Sequence, residues 1–150
     1  MPFTNVFKNS GYYWIIAGVN LGYWIYRPNA PTANAMNPLF TYPGLLLYCV
    51  GELGNLNAHL TLRGLRSSGG KERGIPHGLG FDLVTCPNYM FEAMVWVGMC
   101  LITRDLATML FTTIGIAQMA AWARKKEKNY RKEFGDKYKK KKYVLIPGVY

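Results

Sequence analysis

The sequence predicts an all-α integral membrane protein, a bundle of about four transmembrane helices around a polar cavity open to the cytosol. Three observations lead there. Four apolar segments, at 12–26, 39–62, 81–103 and 106–123, are separated by polar or Pro/Gly-rich stretches. The second of them carries a line of polar groups: Glu52, Asn55 and His59. Positive charge is segregated, with eleven of the eighteen Lys and Arg between Arg124 and Lys142. That segregation leaves the mean hydropathy at -0.02 although half of the residues are hydrophobic. A chain of 150 residues is one domain at most.

The first segment, 12–26, is short for a span. Its ends hold Tyr12, Tyr13, Trp14, Tyr23, Trp24 and Tyr26, the residue types of interfacial belts. Residues 27–38 contain three prolines and three asparagines and read as a loop. The striped span follows, then a glycine-rich polar loop through residue 80. The third segment is interrupted by Thr85-Cys86-Pro87-Asn88, where Pro87 suits the first turn of a helix because its missing N–H does no harm there. The fourth segment is almost free of charge until Ala123, after which the chain turns strongly basic. Met1 to Asn5 shows no basic region followed by an apolar run, so no secretory leader is expected.

Charge also orients the spans. The loop 63–77 carries Arg63, Arg66, Lys71 and Arg73 against Glu72, and the tail carries eleven basic against three acidic residues. If all four segments span, loop and tail emerge on one side, and positive charge marks that side as cytosolic. The opposite side holds only Arg27, Arg104 and Asp105. No folded soluble element presents the tail, so nucleic acid is not an expected partner. Cys49, Cys86 and Cys100 form no C-x-x-C pair, and His59 and His77 have no ligand-spaced companion, so neither a disulfide frame nor a metal site is expected.

Candidate chemistry lies in two places. At 100° per residue, Glu52, Asn55, His59, Arg63 and Arg66 fall within an arc of about 80°. Such a stripe either glues helices together or lines a cavity, and its run into paired arginines favours a cavity that admits a phosphate-bearing ligand head first. The second place is Asn88, Tyr89 and Glu92, which i,i+3 and i,i+4 spacing lets share one face. A phenol beside a carboxylate can donate a proton while the acid holds it in place; the plainer alternative is that Asn88 and Glu92 only satisfy a helix end. The loop arginines either bind phosphate or only obey the charge bias of cytoplasmic loops. Trp122, Lys126 and Tyr130 recur at i+4, as a nucleotide face or as an amphipathic helix end. Lys139 to Lys142 reads as an anionic-lipid contact.

Several ordered motifs resemble a known family. Gly54-Asn55-Leu56-Asn57-Ala58-His59, Leu62-Arg63-Gly64-Leu65-Arg66, Arg73-Gly74-Ile75-Pro76 and Cys86-Pro87-Asn88-Tyr89-x-x-Glu92 are similar to the C-terminal domain of the steroid 5-alpha-reductase family. Within it, they resemble the very-long-chain trans-2-enoyl-CoA reductases of the endoplasmic reticulum. Asn5 to Trp14, Gln118-Met119-x-x-Trp122-Ala123 and Tyr130-x-Lys132-Glu133-Phe134 fit that subgroup. The resemblance covers nearly the whole chain and implies that 1–150 is the C-terminal membrane domain, with a ubiquitin-like region and further spans preceding it in such reductases. It implies NADPH-dependent reduction of a very-long-chain trans-2-enoyl-CoA to the saturated acyl-CoA, the last step of fatty acid elongation, beside other elongation enzymes in the bilayer. Tyr89 is then the proton donor and Glu92 its partner. Asn55, Arg66, Arg73 and Asn88 match cofactor-binding positions, and Lys126 and Tyr130 cofactor-side positions on the last helix; Lys126 stands where some steroid reductases have His. Glu52 and His59 line the substrate cavity. The alternatives are a steroid or polyprenol double-bond reductase, an S-adenosylmethionine-dependent membrane methyltransferase, and a non-catalytic membrane subunit. The Pro87-to-Glu92 pattern with the arginine loop favours a reductase.

Overall fold

The computed structural model describes residues 3–30, 37–65, 74–139, 141 and 143–149. Arg66 and Arg73 lie outside the described residues. The elements are α1 (Thr4–Gly11), a π-helical stretch (Tyr12–Leu21), α2 (Gly22–Tyr26), α3 (Pro38–Gly64), α4 (Pro87–Thr103), α5 (Leu106–Phe134) and a 3-10 turn (Gly135–Lys137). The described residues form no strand; Val84 and Tyr143 make one isolated parallel bridge. The fold is all-helical, as the apolar segments imply.

Local chemistry sets the boundaries. Asn37 caps α3 by accepting the Leu39 N–H at 3.0 Å, with Pro38 next in the first turn. Asp105 caps α5 by accepting the N–H groups of Ala107 at 2.8 Å and Thr108 at 3.3 Å. Between them α4 ends at Arg104, whose φ of 51° breaks the helix, so two residues suffice to reverse the chain into α5.

Three boundaries differ from expectation. Residues 81–86 turn instead of extending the third segment, because α4 cannot begin before Pro87: the residue preceding a proline disfavours helical backbone. The fourth helix runs past Ala123 to Phe134, since Lys, Arg and Glu are good helix formers once outside an apolar environment. The first segment winds as a π-helix over Tyr12–Leu21. Among the described residues one helix, Leu106–Lys137, is long and apolar enough to cross a membrane.

The helices form an array in which α3 packs on α4, α4 on α5, and the π-helical stretch on α5. Phe111 of α5 joins two of these contacts, stacking on Tyr12 at 5.5 Å and meeting Trp96 of α4 at 4.6 Å. On α3, Leu39, Tyr42, Leu46, Leu53 and Leu56 remain exposed. Neighbouring helices run antiparallel: Gly44 meets Gly98 while Gly54 meets Phe91, and Cys100 bonds Thr112 while Thr85 bonds Glu127. The end of α3, the start of α4 and the basic end of α5 therefore lie at one end of the array.

Candidate active site

The site follows from how closely α3 and α4 approach. Gly44, Gly51, Gly54 and Ala58 are the buried residues of α3. A Cβ at Gly51 would stand 2.8 Å from the Phe91 carbonyl oxygen, and one at Gly98 would stand 2.6 Å from that of Gly44. A Cβ at Gly54 would collide with the Phe91 ring. Only hydrogen fits at these positions, so the two backbones come into direct contact.

That contact aims the polar stripe. Glu52, Asn55 and His59 each follow a small contact residue by one position, which turns them by ~100° to the flank of the interface. On α4 the contact residues Phe91, Val95 and Gly98 are each followed by Glu92, Trp96 and Met99. Antiparallel helices seen from one end rotate in opposite senses, so both sets of following residues reach the same flank. They line one groove of about 530 Å³, completed by Tyr48 and Val95.

The groove has two chemical ends. Asn55, His59 and Glu92 lie toward the start of α4, and Tyr48, Trp96 and Met99 toward its end. Glu52 and His59 are exposed, while Asn55 and Glu92 are half-buried. Glu52 and His59 line the same groove as Glu92. Asn55 donates its Nδ2 hydrogen to the Asn88 carbonyl at 2.9 Å, tying α3 to the first turn of α4. The Asn88 side chain is 5% exposed, and its Oδ1 is a buried acceptor with no hydrogen-bond partner among the described residues. A buried amide oxygen left so is costly unless a donor arrives.

The other expected residues sit elsewhere. Tyr89 is half-buried on the α5 side of α4, its ring 6.2 Å from Trp122, and does not line the groove with Glu92. Tyr130 is buried, its ring 5.4 Å from Tyr138, with the Lys126 ammonium 5.8 Å from its centroid. The structure thus brings together Glu52, Asn55, His59, Glu92 and Asn88, and sets Lys126 and Tyr130 apart at the basic end of α5.

A second polar cluster lies beneath α4. Glu127 is 5% exposed, and its Oε2 accepts hydrogen bonds from Thr85 Oγ1 at 2.5 Å and Tyr138 Oη at 2.6 Å. Burial, and the hydrogen bond its hydroxyl gives to Glu127, push the Tyr138 phenol well above its ordinary range.

The family model of the 3-oxo-5-alpha-steroid 4-dehydrogenases matches residues 1–150. The chain belongs to this family. It is 43% identical over 150 residues to a very-long-chain enoyl-CoA reductase of Dictyostelium discoideum, covering 98% of this chain and 48% of that protein. A probable very-long-chain enoyl-CoA reductase of Caenorhabditis elegans is 40% identical over 155 residues, with 99% and 49% covered. A steroid 5-alpha-reductase of Solanum lycopersicum is 36% identical over 107 residues, with 71% and 41% covered. The chain spans about half the length of the curated relatives it matches.

Sequence reasoning missed Tyr48, Val95, Trp96 and Met99 as groove residues, missed Glu127 and Tyr138 altogether, and read Thr85 only as part of a chain interruption. A usable signal existed for the first set. Once the glycine line of α3 is read as the contact, residues one step beyond each contact fall on the groove. Nothing local marks Glu127, an acid inside a basic run.

Proposed function

We propose that this chain carries the catalytic groove of an NADPH-dependent reductase that converts very-long-chain trans-2-enoyl-CoA to saturated acyl-CoA, the last step of an elongation cycle. The observation that carries this reading is the two-ended groove, polar at Asn55, His59 and Glu92 and apolar at Trp96 and Met99, in a chain similar to enoyl-CoA reductases. The apolar end suits an acyl chain. The polar end suits the thioester and a nicotinamide.

One observation supports a fit to that cofactor. Asn88 Oδ1 is a buried acceptor without a partner among the described residues, and a carboxamide N–H would satisfy it. Arg66 and Arg73 would pair with its phosphates, and Lys126 and Tyr130 would stand on its α5 side. When bound, NADPH supplies the hydride that the β-carbon of the enoyl thioester accepts. Tyr89 then gives its phenolic proton to the α-carbon. A phenol with an ordinary pKa of ~10 holds that proton at neutral pH. Glu92, one turn further along α4, lines the groove and would orient the substrate-side polar groups. Asn55 keeps the first turn of α4 in place through its bond to the Asn88 carbonyl.

In this reading the protein is a multi-pass protein of the endoplasmic reticulum membrane, and the 63–77 loop and the basic tail face the cytosol. The end of α3 that leads into this loop and the basic end of α5 lie at one end of the array, which supports a shared side. Glycosylation acceptors inserted in the loop and tail stay unmodified, while one near Asn34 is modified; the reverse pattern overturns the orientation.

The likeness to a steroid 5-alpha-reductase supports a second reading, reduction of a steroid or polyprenol double bond in the same groove. Microsomes containing the intact protein, given NADPH or NADH with a very-long-chain enoyl-CoA, a 3-oxo-4-ene steroid or a polyprenol, separate these. We expect saturated acyl-CoA, with NADPH alone. Steroid or polyprenol reduction without acyl-CoA product supports the second reading. No product from any substrate, with normal insertion, supports a non-catalytic membrane subunit.

A further inference from the structure

Glu127 is a buried acid that the reaction above does not use. An acid among apolar neighbours costs desolvation, and an apolar residue of similar volume packs there at least as well. Its geometry is specific. One oxygen, Oε2, receives hydroxyl hydrogen bonds from two distant segments, Thr85 just before α4 at 2.5 Å and Tyr138 after the 3-10 turn at 2.6 Å. Hydroxyl bonds to a carboxylate this short are among the stronger ones in proteins.

A second line of bonds holds the same place through the main chain. The Thr85 N–H donates to the Tyr143 carbonyl and the Cys86 N–H to that of Val144, each at 3.2 Å. Leu145 and Cys86, both fully buried, share a core with Ala93, Met119 and Ala123, and Tyr89 packs against that core. Residues 85–86 are therefore gripped by side chain and by backbone. They lead directly into Pro87, Asn88 and Tyr89.

We propose that Glu127, with Thr85 and Tyr138, is a positioning residue for the reductase: it clamps the chain entering α4 and so fixes where Asn88 and Tyr89 stand in the site. The inference rests on the enoyl reductase reading for its catalytic part. The carboxylate acts through Thr85 and touches neither substrate nor cofactor.

The test uses the intact protein in native membranes with Thr85→Val, Thr85→Ser, Tyr138→Phe and Glu127→Gln. Three quantities are read: reductase kinetics well below the unfolding temperature, the melting temperature, and alkylation of Cys86 by N-ethylmaleimide, followed by peptide mass spectrometry with the exposed Cys49 as internal standard. In Thr85→Val and Tyr138→Phe, kcat falls about tenfold at unchanged enoyl-CoA KM, and Cys86 reacts about tenfold faster. Thr85→Ser keeps the hydroxyl and restores both. Glu127→Gln keeps an acceptor for both hydroxyls and lies between. A kcat equal to wild type in Thr85→Val, with only a lower melting temperature, assigns the cluster to stability and overturns the proposal. So does Cys86 protection that none of the variants changes. Wild-type protein without reductase activity refutes the functional reading instead; the clamp is then decided by the Cys86 rates alone.

Discussion

The two faces of α4 treat polar groups in opposite ways. Toward α3, Glu52, His59 and Glu92 line a groove and make no side-chain hydrogen bond to another described residue. Toward α5, Thr85 and Tyr138 both donate to Glu127, deep in the protein. The first face spends its closest packing on glycine and leaves a channel beside it. The second fills its space with Cys86, Ala93, Met119, Ala123 and Leu145. The comparison separates polar residues left open in a groove, which the proposed function assigns to a ligand, from polar residues bonded within the protein. It also explains why one helix can be both a wall of the groove and a fixed frame for it.

The strongest test is to remove the groups that the proposed reaction uses, Glu92 in the groove and Tyr89 on the α5 side of α4. Tyr89→Phe and Glu92→Gln each lower turnover about 100-fold or more, the range typical of a lost acid or orienting group. Cofactor binding and insertion stay intact. Formation of saturated acyl-CoA in microsomes measures this, and unchanged turnover in Tyr89→Phe removes the phenol from the mechanism.

Closing the groove by overpacking comes next. Gly51→Leu drives a side chain into the Phe91 backbone and Val95 and costs about 1–3 kcal/mol. Gly115→Ala on α5 is the control. Nothing stands within 4 Å of a Cβ there, so helix propensity makes it neutral or stabilising. Melting temperatures in detergent compare the two, and equal effects contradict the close α3–α4 approach.

Arg66→Ala and Arg73→Ala sharpen the functional side. Each weakens NADPH about tenfold, the loss of a charge-assisted bond worth ~1.5–3 kcal/mol, and leaves the enoyl-CoA dependence nearly unchanged. Cofactor titration in detergent reads it. Equal affinity in both variants returns the loop to a purely topological role.

The smallest effect belongs to the holding face. The folded protein raises the Tyr138 pKa, so its contribution is fully present below about pH 10, the ordinary phenol value, and is lost as pH climbs toward the folded value. Tyr138→Phe lowers the melting temperature at neutral pH through a lost bond of about 1.5 kcal/mol. It also flattens the part of the alkaline decline due to this phenol. An identical alkaline slope in wild type and variant excludes Tyr138 as its source.

Much of this was legible in the chain. The four apolar segments correspond to helices, Pro87 marks the start of α4, and the 3.6-residue period places Glu52, Asn55 and His59 on one line. Each of these depends on neighbours within a few positions, where covalent geometry and solvent preference decide. The family motifs were readable for the same reason: they are short strings. Helix lengths were less readable. The passage from apolar to basic at Ala123 marks a change of environment, and backbone hydrogen bonding continues across it to Phe134.

Determined by the sequence alone are the all-helical class, the polar stripe, the segregated charge and the order of motifs, since all of them follow from local periodicity and composition. Decided only by the tertiary structure are the groove and the clamp. The groove exists because glycines of α3 let its backbone touch α4, which turns Trp96 and Met99 toward a stripe more than thirty positions away. The clamp exists because the antiparallel return of α5 carries Glu127 back over 42 residues of chain to Thr85. Read locally, Glu127 is one acid in a basic helix end. Folding buries it, and burial makes two hydroxyls its necessary partners.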